Sequence, residues 1–157
     1  MAATEPVIYD APGQSLGYLL WHACRLWRRE LSAGLAPIGL TYAEWGLLAS
    51  LHWLAPPDPA RMPGTGPTQR EVGDHAGIDE MVASEALRSL ERRELVRREA
   101  SARDRRARAL AITAEGARLA LASVATVREA DRRIFAPLDD PAAVARALVA
   151  VIEGGGS

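Results

Sequence analysis

The chain has 157 residues, of which 48% are hydrophobic and 25% are charged, with a net charge of −1. This length is that of about one domain, and the apolar content supports a buried core, which excludes global disorder. No apolar run approaches the roughly 20 residues that a membrane helix needs.

The first 14 residues form an N-terminal extension with acidic residues and prolines. This extension lacks the basic start and the apolar stretch of a secretory signal. Cys24 is the only cysteine, so no disulfide forms within the chain, which is typical of a reducing compartment. We therefore expect a cytoplasmic protein.

Residues 15–35 have the spacing of an amphipathic helix, and Ser15 is placed to cap its start. Pro37 and Gly39 end this helix. Because the apolar positions recur every three or four residues, we expect them to form one face. That face consists of Leu16, Leu19, Leu20, Ala23, Leu26, Trp27 and Leu31.

Two capping boxes predict the starts of two further helices. Thr41-Tyr-Ala-Glu44 begins a helix that runs to Leu54, and Thr68-Gln-Arg-Glu71 begins a short helix that runs to about Ala76. The proline-rich residues 55–67 between them predict a loop.

The next segment has the pattern of a helix-turn-helix. Gly77 tolerates the positive φ of a tight turn, and Asp79 is placed to cap a helix that runs to about Arg93. Small residues stand where the two helices would touch, namely Gly73 and Ala76. The predicted inner stripe is Ile78, Ala83, Leu87 and Leu90. The outer face, suited to a major groove about 12 Å wide, carries Glu80, Val82, Ser84, Glu85 and Arg88.

An arginine-rich hairpin follows, with strands at 95–99 and 107–113 and with Leu110 and Ile112 alternating inward. Residues 86–113 carry nine arginines and four acidic residues. Such a basic segment on an otherwise acidic chain indicates a polyanionic partner. A compositional bias toward arginine explains why the chain has no lysine. That bias does not explain why nearly half of the arginines lie in this one segment.

Two helices complete the chain. Thr113 is placed to cap a long helix over 114–135, which Pro137 ends. Asp140-Pro141 then begins a final helix, and the glycines 154–156 end it. The element order predicts a mainly α protein with a small β-hairpin wing, that is, a winged helix-turn-helix plus a helical region.

Three motifs occur in order in this chain. They are Thr68-Gln-Arg-Glu-Val72 with Leu87-Arg-Ser-Leu-Glu-Arg-Arg-Glu-Leu-Val96, then Asp104-Arg-Arg-Ala107, then Leu110-Ala-Ile-Thr-Ala-Glu-Gly116. The ordered run resembles the multiple-antibiotic-resistance regulator (MarR) family of winged-helix repressors over about residues 15–150. The resemblance implies a homodimer whose dimerisation region is residues 15–40 and 114–153. The DNA-binding lobe would be residues 41–113, and its partner a roughly palindromic double-stranded operator.

The resemblance also implies roles for single residues. Asp104 matches the wing aspartate, which orients Arg106 toward the minor groove, where a narrow groove attracts arginine. The implied phosphate contacts are Arg103, Arg105 and Arg108, together with backbone N–H groups at Thr68 and Gln69. The DNA-facing residues of the recognition helix are Val82, Ser84, Glu85 and Arg88, of which the last three are candidates for base contacts.

The chain departs from the family pattern at three places. Glu94 stands where the family commonly has glycine, so the recognition helix must end without a left-handed glycine or extend. That helix also carries Asp79, Glu80 and Glu85, which repel phosphate, although glutamate accepts a hydrogen bond from cytosine N4. The loop 55–67 is longer than usual.

The resemblance further suggests a pocket for a small aromatic effector between the dimer and DNA-binding lobes, lined by Trp21, His22, Arg25 and Trp45. The alternative is that the tryptophans are core residues. Cys24 is a candidate peroxide sensor, but sensing needs an accessible thiolate of low pKa, and inert packing is the simpler interpretation.

No nucleophile elbow, phosphate-binding loop or zinc-protease motif is present, so we expect no enzyme. The three histidines are scattered and no cysteine pair exists, so we expect no metal site and no cofactor. A winged-helix protein-interaction module with weak or no DNA binding remains the alternative, because the recognition face is acidic.

Overall fold

The computed structural model describes residues 11–55, 62–104 and 106–155. The helices are α1 (Leu16–Leu35), α2 (Tyr42–Leu54), α3 (Gln69–Ala76), α4 (Glu80–Arg92), α5 (Ala114–Phe135) and α6 (Pro141–Gly154). The strands are β1 (Val96–Ala100) and β2 (Arg108–Ile112). The predicted fold class is therefore confirmed. Within the described ranges, no helix is both long and apolar enough to cross a bilayer.

The chain divides into two compact units, one of residues 1–30 with 128–157 and one of residues 31–127. The second unit contains the helix-turn-helix, the hairpin and most of the buried apolar side chains. Its largest fully buried residues include Leu31, Leu35, Leu47, Leu48, Leu51, Val72, Leu87, Leu90, Val96 and Leu110. This core fixes the position of α4 relative to the hairpin.

The predicted caps are confirmed. The Thr41 and Thr68 side chains accept from the backbone N–H groups of the glutamates three residues later, and both capping boxes are complete. Asp79 Oδ1 accepts from the Met81 N–H at 3.0 Å, which begins α4. Gly77 has a φ of 61°, the left-handed conformation that the turn between α3 and α4 requires.

The inner stripe of α4 is largely as predicted, since Ala83, Leu87 and Leu90 are buried. Ile78, before the helix, is only half-buried. Gly73 lies against Ala83, as expected for a close helix crossing. Ala76 lies beside Gly46 of α2, and its predicted place at the crossing of α3 and α4 stays a prediction.

The hairpin is antiparallel, with Val96 opposite Ile112 and Ala100 opposite Arg108. Leu110 and Ile112 are buried as predicted, but Ala109 and Ala111 are buried as well, so β2 has no exposed face of the kind that alternation predicts. A further segment runs along the other edge of β2, where the Pro67 carbonyl accepts from the Leu110 N–H at 2.8 Å. The backbone of this strand is therefore hydrogen-bonded on both edges.

The other unit leaves apolar side chains in solvent. Leu16 is 79% exposed and Ile152 is 74% exposed. None of the fourteen residues of α6 is buried, although that helix is apolar along its length. Of the predicted apolar face of α1, only Leu31 is buried within the chain. The spacing predicted an apolar face correctly, but this face is not packed within one protomer.

Glu94 ends α4 in the left-handed conformation, with a φ of 58°. The Leu95 N–H donates to the Leu90 carbonyl at 2.9 Å and the Glu94 N–H donates to the Glu91 carbonyl at 3.0 Å. These two bonds form a Schellman motif, whose left-handed position glycine usually occupies. The sequence allowed α4 either to end without a left-handed glycine or to extend, and the structure shows the first of these.

Replacing Glu94 with glycine should stabilise the fold by about 0.5–1 kcal/mol, because the left-handed strain exceeds the entropy that glycine loses on folding. Denaturant unfolding at one protomer concentration measures this change. Glu94→Ala removes the same charge without relieving the strain and should give no gain. An equal gain from both variants would show that the charge, and not the conformation, is responsible.

Candidate nucleic-acid interface

A groove of about 520 Å³ lies between α3, the start of α4 and β2. Thr68, Gln69 and Arg108 are among the residues that line this groove. The structure thus brings the start of the helix-turn-helix and the second strand of the wing to one surface. Thr68 also pairs with Ala109 of β2, which fixes their spacing.

The outer face of α4 is solvent-exposed, as predicted. Val82 is 48% exposed, Glu85 and Arg88 are exposed, and Ser84 is half-buried. Sequence reasoning missed Met81, which is 82% exposed at the first turn of the helix. The helical period does place Met81 off the inner stripe, and that signal was available.

A buried carboxylate anchors α4 to α2, and sequence reasoning did not find it. Glu44 Oε1 accepts from Ser89 Oγ at 2.6 Å and from Arg93 Nη1 at 3.3 Å, while Oε2 accepts from the Thr41 N–H at 2.9 Å. Burial raises the pKa of Glu44, but these hydrogen bonds and the charge of Arg93 together bring the pKa below its ordinary value. The charged carboxylate therefore holds the recognition helix in place.

Replacing Glu44 with glutamine should lower the free energy of unfolding by about 1–3 kcal/mol, since charge-assisted hydrogen bonds are lost. Because the folded pKa lies below the ordinary 4.5, the contribution is present above pH 4.5 and is lost as the pH falls through the folded pKa. The difference between wild type and variant should therefore shrink below pH 4.5. Glu71→Gln, in the exposed capping box, is the matched control and should cost less.

The wing turn is organised by its own side chains. Ser101 Oγ accepts from the backbone N–H groups of Arg103 at 3.2 Å and Asp104 at 3.3 Å. Asp104 Oδ1 in turn accepts from the Arg106 N–H at 2.8 Å. Asp104 thus sets the backbone that carries the exposed Arg106, and its predicted role in orienting that arginine toward a minor groove stays a prediction. Arg105, a predicted phosphate contact, lies outside the described residues.

Arg103 is directed back toward the protein. Its Nη2 donates to the Thr65 carbonyl at 3.2 Å, and its Nη1 lies 3.8 Å from Glu71 Oε1. Its guanidinium therefore has partners within the chain, and the predicted phosphate contact of Arg103 stays a prediction. Arg108 is exposed beside the groove.

The start of α3 also differs from the expectation. The Thr68 N–H, predicted to face phosphate, donates to Glu71 Oε2 at 2.6 Å. The Gln69 side chain accepts from Arg98 Nη2 at 3.2 Å. The bonds from the Thr68 backbone and hydroxyl, with the charge of Arg103, hold the pKa of Glu71 below its ordinary value. A carboxylate therefore occupies the position predicted for a phosphate contact at Thr68.

The effector candidates on α1 form an exposed aromatic cluster. The ring centroids of Trp21 and His22 are 4.6 Å apart, and Arg25 lies 5.7 Å from the Trp21 ring centroid. Tyr18, which sequence reasoning missed, lies 4.3 Å from His22. Trp45 lies on α2 in the other unit, with its ring centroid 5.7 Å from that of Tyr42.

The Cys24 thiol is exposed, so the expected inert packing does not occur within one chain. The described part of the chain has no group of three or more histidine, cysteine, aspartate or glutamate side chains that could together bind a metal ion.

Comparison with known proteins gives consistent results. The sequence profile of the MarR family matches residues 60–107. The HTH-type transcriptional repressor Rv2887 of Mycobacterium tuberculosis is 36% identical over 132 residues, which cover 84% of this chain and 86% of the relative.

Two solved structures of that M. tuberculosis protein are similar to this fold. The complex with DNA has a TM-score of 0.64 and 31% identity, covering 94% of this chain and 100% of the solved one. The complex with p-aminosalicylic acid has a TM-score of 0.65 and 33% identity, covering 91% and 99%.

Proposed function

This chain belongs to the MarR family of transcriptional regulators, and from this premise we propose that it is a homodimeric repressor that binds a double-stranded DNA operator by sequence. It acts in the cytoplasm by binding and not by catalysis, and a small aromatic effector releases it. The observation that carries the proposal is that the exposed face of α4 and the arginine-bearing wing belong to one compact unit.

The division of labour on this surface follows from charge and exposure. Arg106 at the wing tip enters the minor groove, and Arg108, with Arg103 and Arg105, contacts phosphate, which positions the protein without specifying sequence. The exposed face of α4 enters the major groove, where Ser84, Glu85 and Arg88 reach base edges. Val82 adds apolar contact, which suits a thymine methyl group.

Exposed apolar side chains on α1 and α6 support the proposal that the chain forms a dimer. The exposed apolar side chains of α1 and α6 need a partner, and a two-fold interface covers the same patch on both protomers. We assign dimerisation to residues 15–40 and 114–153, and DNA binding to residues 41–113. Two α4 helices about 34 Å apart would then enter successive major grooves.

The effector proposal rests on the cluster of Trp21, His22 and Arg25, because edge-to-face aromatic rings beside a cation suit an aromatic acid. The bound p-aminosalicylic acid of the M. tuberculosis relative is such a molecule. Trp45 remains a proposed effector contact of the other unit. An effector releases DNA in proportion to its preference for the conformation that does not bind the operator.

A protein-interaction module is the second candidate, because Glu80 and Glu85 make the exposed face of α4 acidic and Met81 makes it partly apolar. An acidic and partly apolar face is better suited to contact another protein than to contact DNA phosphates.

A salt titration of duplex binding separates the two candidates. A repressor that neutralises several phosphates loses affinity steeply as salt rises, with a slope of about −0.9 per phosphate in the logarithmic plot. An interaction module would show little duplex binding even at low salt. The second outcome would overturn the proposed function.

A further inference from the structure

We propose that Glu71 is an intramolecular competitor of DNA: it holds Arg103 of the wing in an ion pair that operator phosphate must displace, and so limits operator affinity. This inference rests on the proposed function, because it concerns how tightly the same surface binds a duplex. It assigns a role to a residue of the α3 capping box.

The pair joins two elements of the DNA-facing surface. Arg103 Nη1 lies 3.8 Å from Glu71 Oε1, and Arg103 Nη2 donates to the Thr65 carbonyl at 3.2 Å. The two charged side chains are 69% and 50% exposed, so a polyanion can reach both. Because a guanidinium is a forked donor suited to phosphate, phosphate and Glu71 compete for the same N–H groups.

Glu71 is fixed in place before any ligand arrives. Its Oε2 accepts from the Thr68 N–H at 2.6 Å and from Thr68 Oγ1 at 3.0 Å. These bonds leave Oε1 to face Arg103. The carboxylate therefore serves the helix cap with one oxygen and the wing arginine with the other, and pairing with Arg103 costs Glu71 little further side-chain entropy.

The size of the effect follows from the exposure of the pair. Exposed ion pairs contribute about 0–1 kcal/mol, which corresponds to at most about fivefold in an equilibrium constant. Removing the carboxylate also removes a negative charge beside the groove that Thr68 and Arg108 line. A coupling measurement must therefore separate the pair from this general charge effect.

The test is a double-mutant cycle with Glu71→Gln and Arg103→Ala. Glutamine keeps the capping box, so α3 retains its start. Binding is measured by fluorescence anisotropy on a duplex selected for the wild-type protein, over a series of salt concentrations. Thermal unfolding of each variant shows that the fold is retained.

We expect Glu71→Gln to tighten binding about three- to fivefold, the range that an exposed pair allows. Arg103→Ala should weaken binding about twofold in the wild type and about tenfold in the Glu71→Gln background, a coupling of about fivefold within the same limit. The salt slope of Glu71→Gln should become steeper by about one, as for one more phosphate contact, and Arg103→Ala should reverse this.

Glu115→Gln is the matched control, because it makes the same change of net charge in a glutamate that pairs with Arg118 at 2.6 Å. This control should leave operator affinity unchanged. If Glu71→Gln tightens binding equally with and without Arg103, or does not tighten it, the inference is wrong. If the wild type binds no selected duplex, the proposed function fails as well, whereas additive effects remove the inference alone.

Discussion

Replacing Ile152 with arginine is expected to separate the protomers and to weaken operator binding by about 100-fold or more, the range by which joining two binding sites raises affinity. Ile152 is 74% exposed on α6, and Val151 beside it is 65% exposed. In a two-fold interface each substitution enters twice, so two unpaired cations would have to be buried. The helix itself should persist, since a cation near its C-terminus is favourable.

Sedimentation velocity and duplex binding measure the two parts of this prediction. The variant should sediment as a monomer and should bind a duplex with two half-sites little better than a duplex with one. Ile152→Leu is the control, because it keeps an apolar side chain of similar volume, and it should remain a dimer. A dimeric Ile152→Arg protein with unchanged operator affinity would place the dimer interface elsewhere.

Arg106→Ala is expected to weaken binding about tenfold, the loss of one good charge-assisted contact, with little change of preference in the major groove. Arg88→Ala should instead change the preferred base at one position, where a bidentate contact discriminates by about 1–3 kcal/mol. The contrast follows from position, because Arg106 lies in the wing turn and Arg88 on the exposed face of α4.

Asp104→Ala tests how Arg106 is positioned. Because Asp104 Oδ1 accepts from the Arg106 N–H at 2.8 Å, its loss should loosen the turn and weaken binding. In the Arg106→Ala background the same change should have a smaller effect, since the side chain that Asp104 positions is already absent. Equal effects in both backgrounds would mean that Asp104 contributes independently of Arg106. Selected duplexes, compared between variants, give the base preferences.

Features set by neighbouring residues were predictable from the sequence. The capping boxes at Thr41 and Thr68, the left-handed Gly77 and the cap at Asp79 each depend on residues within one turn of a helix, and the structure has all four. The glycine of the third motif is different, because its cause is distant in sequence: a Cβ on Gly116 would lie 2.1 Å from the Leu95 carbonyl oxygen.

Features set by distant parts of the chain were not predictable in the same way. Glu44 was identified as a cap, but its bonds to Ser89 and Arg93 join positions 45 and 49 residues away. The second hydrogen-bonded edge of β2 depends on Pro67, and the hydrogen bond of the Arg103 guanidinium depends on Thr65. A charge pattern locates arginines on a surface but does not show which carboxylates they pair with.

Selection of bound duplexes from a random pool tests the central claim most directly, which is that α4 and the wing of two protomers form one DNA-reading surface. The account predicts a two-fold symmetric consensus with half-site centres about one helical turn, or 10 base pairs, apart. It also predicts that Arg106→Ala recovers the same consensus more weakly. No enrichment at physiological salt, or a consensus without symmetry, would contradict the account.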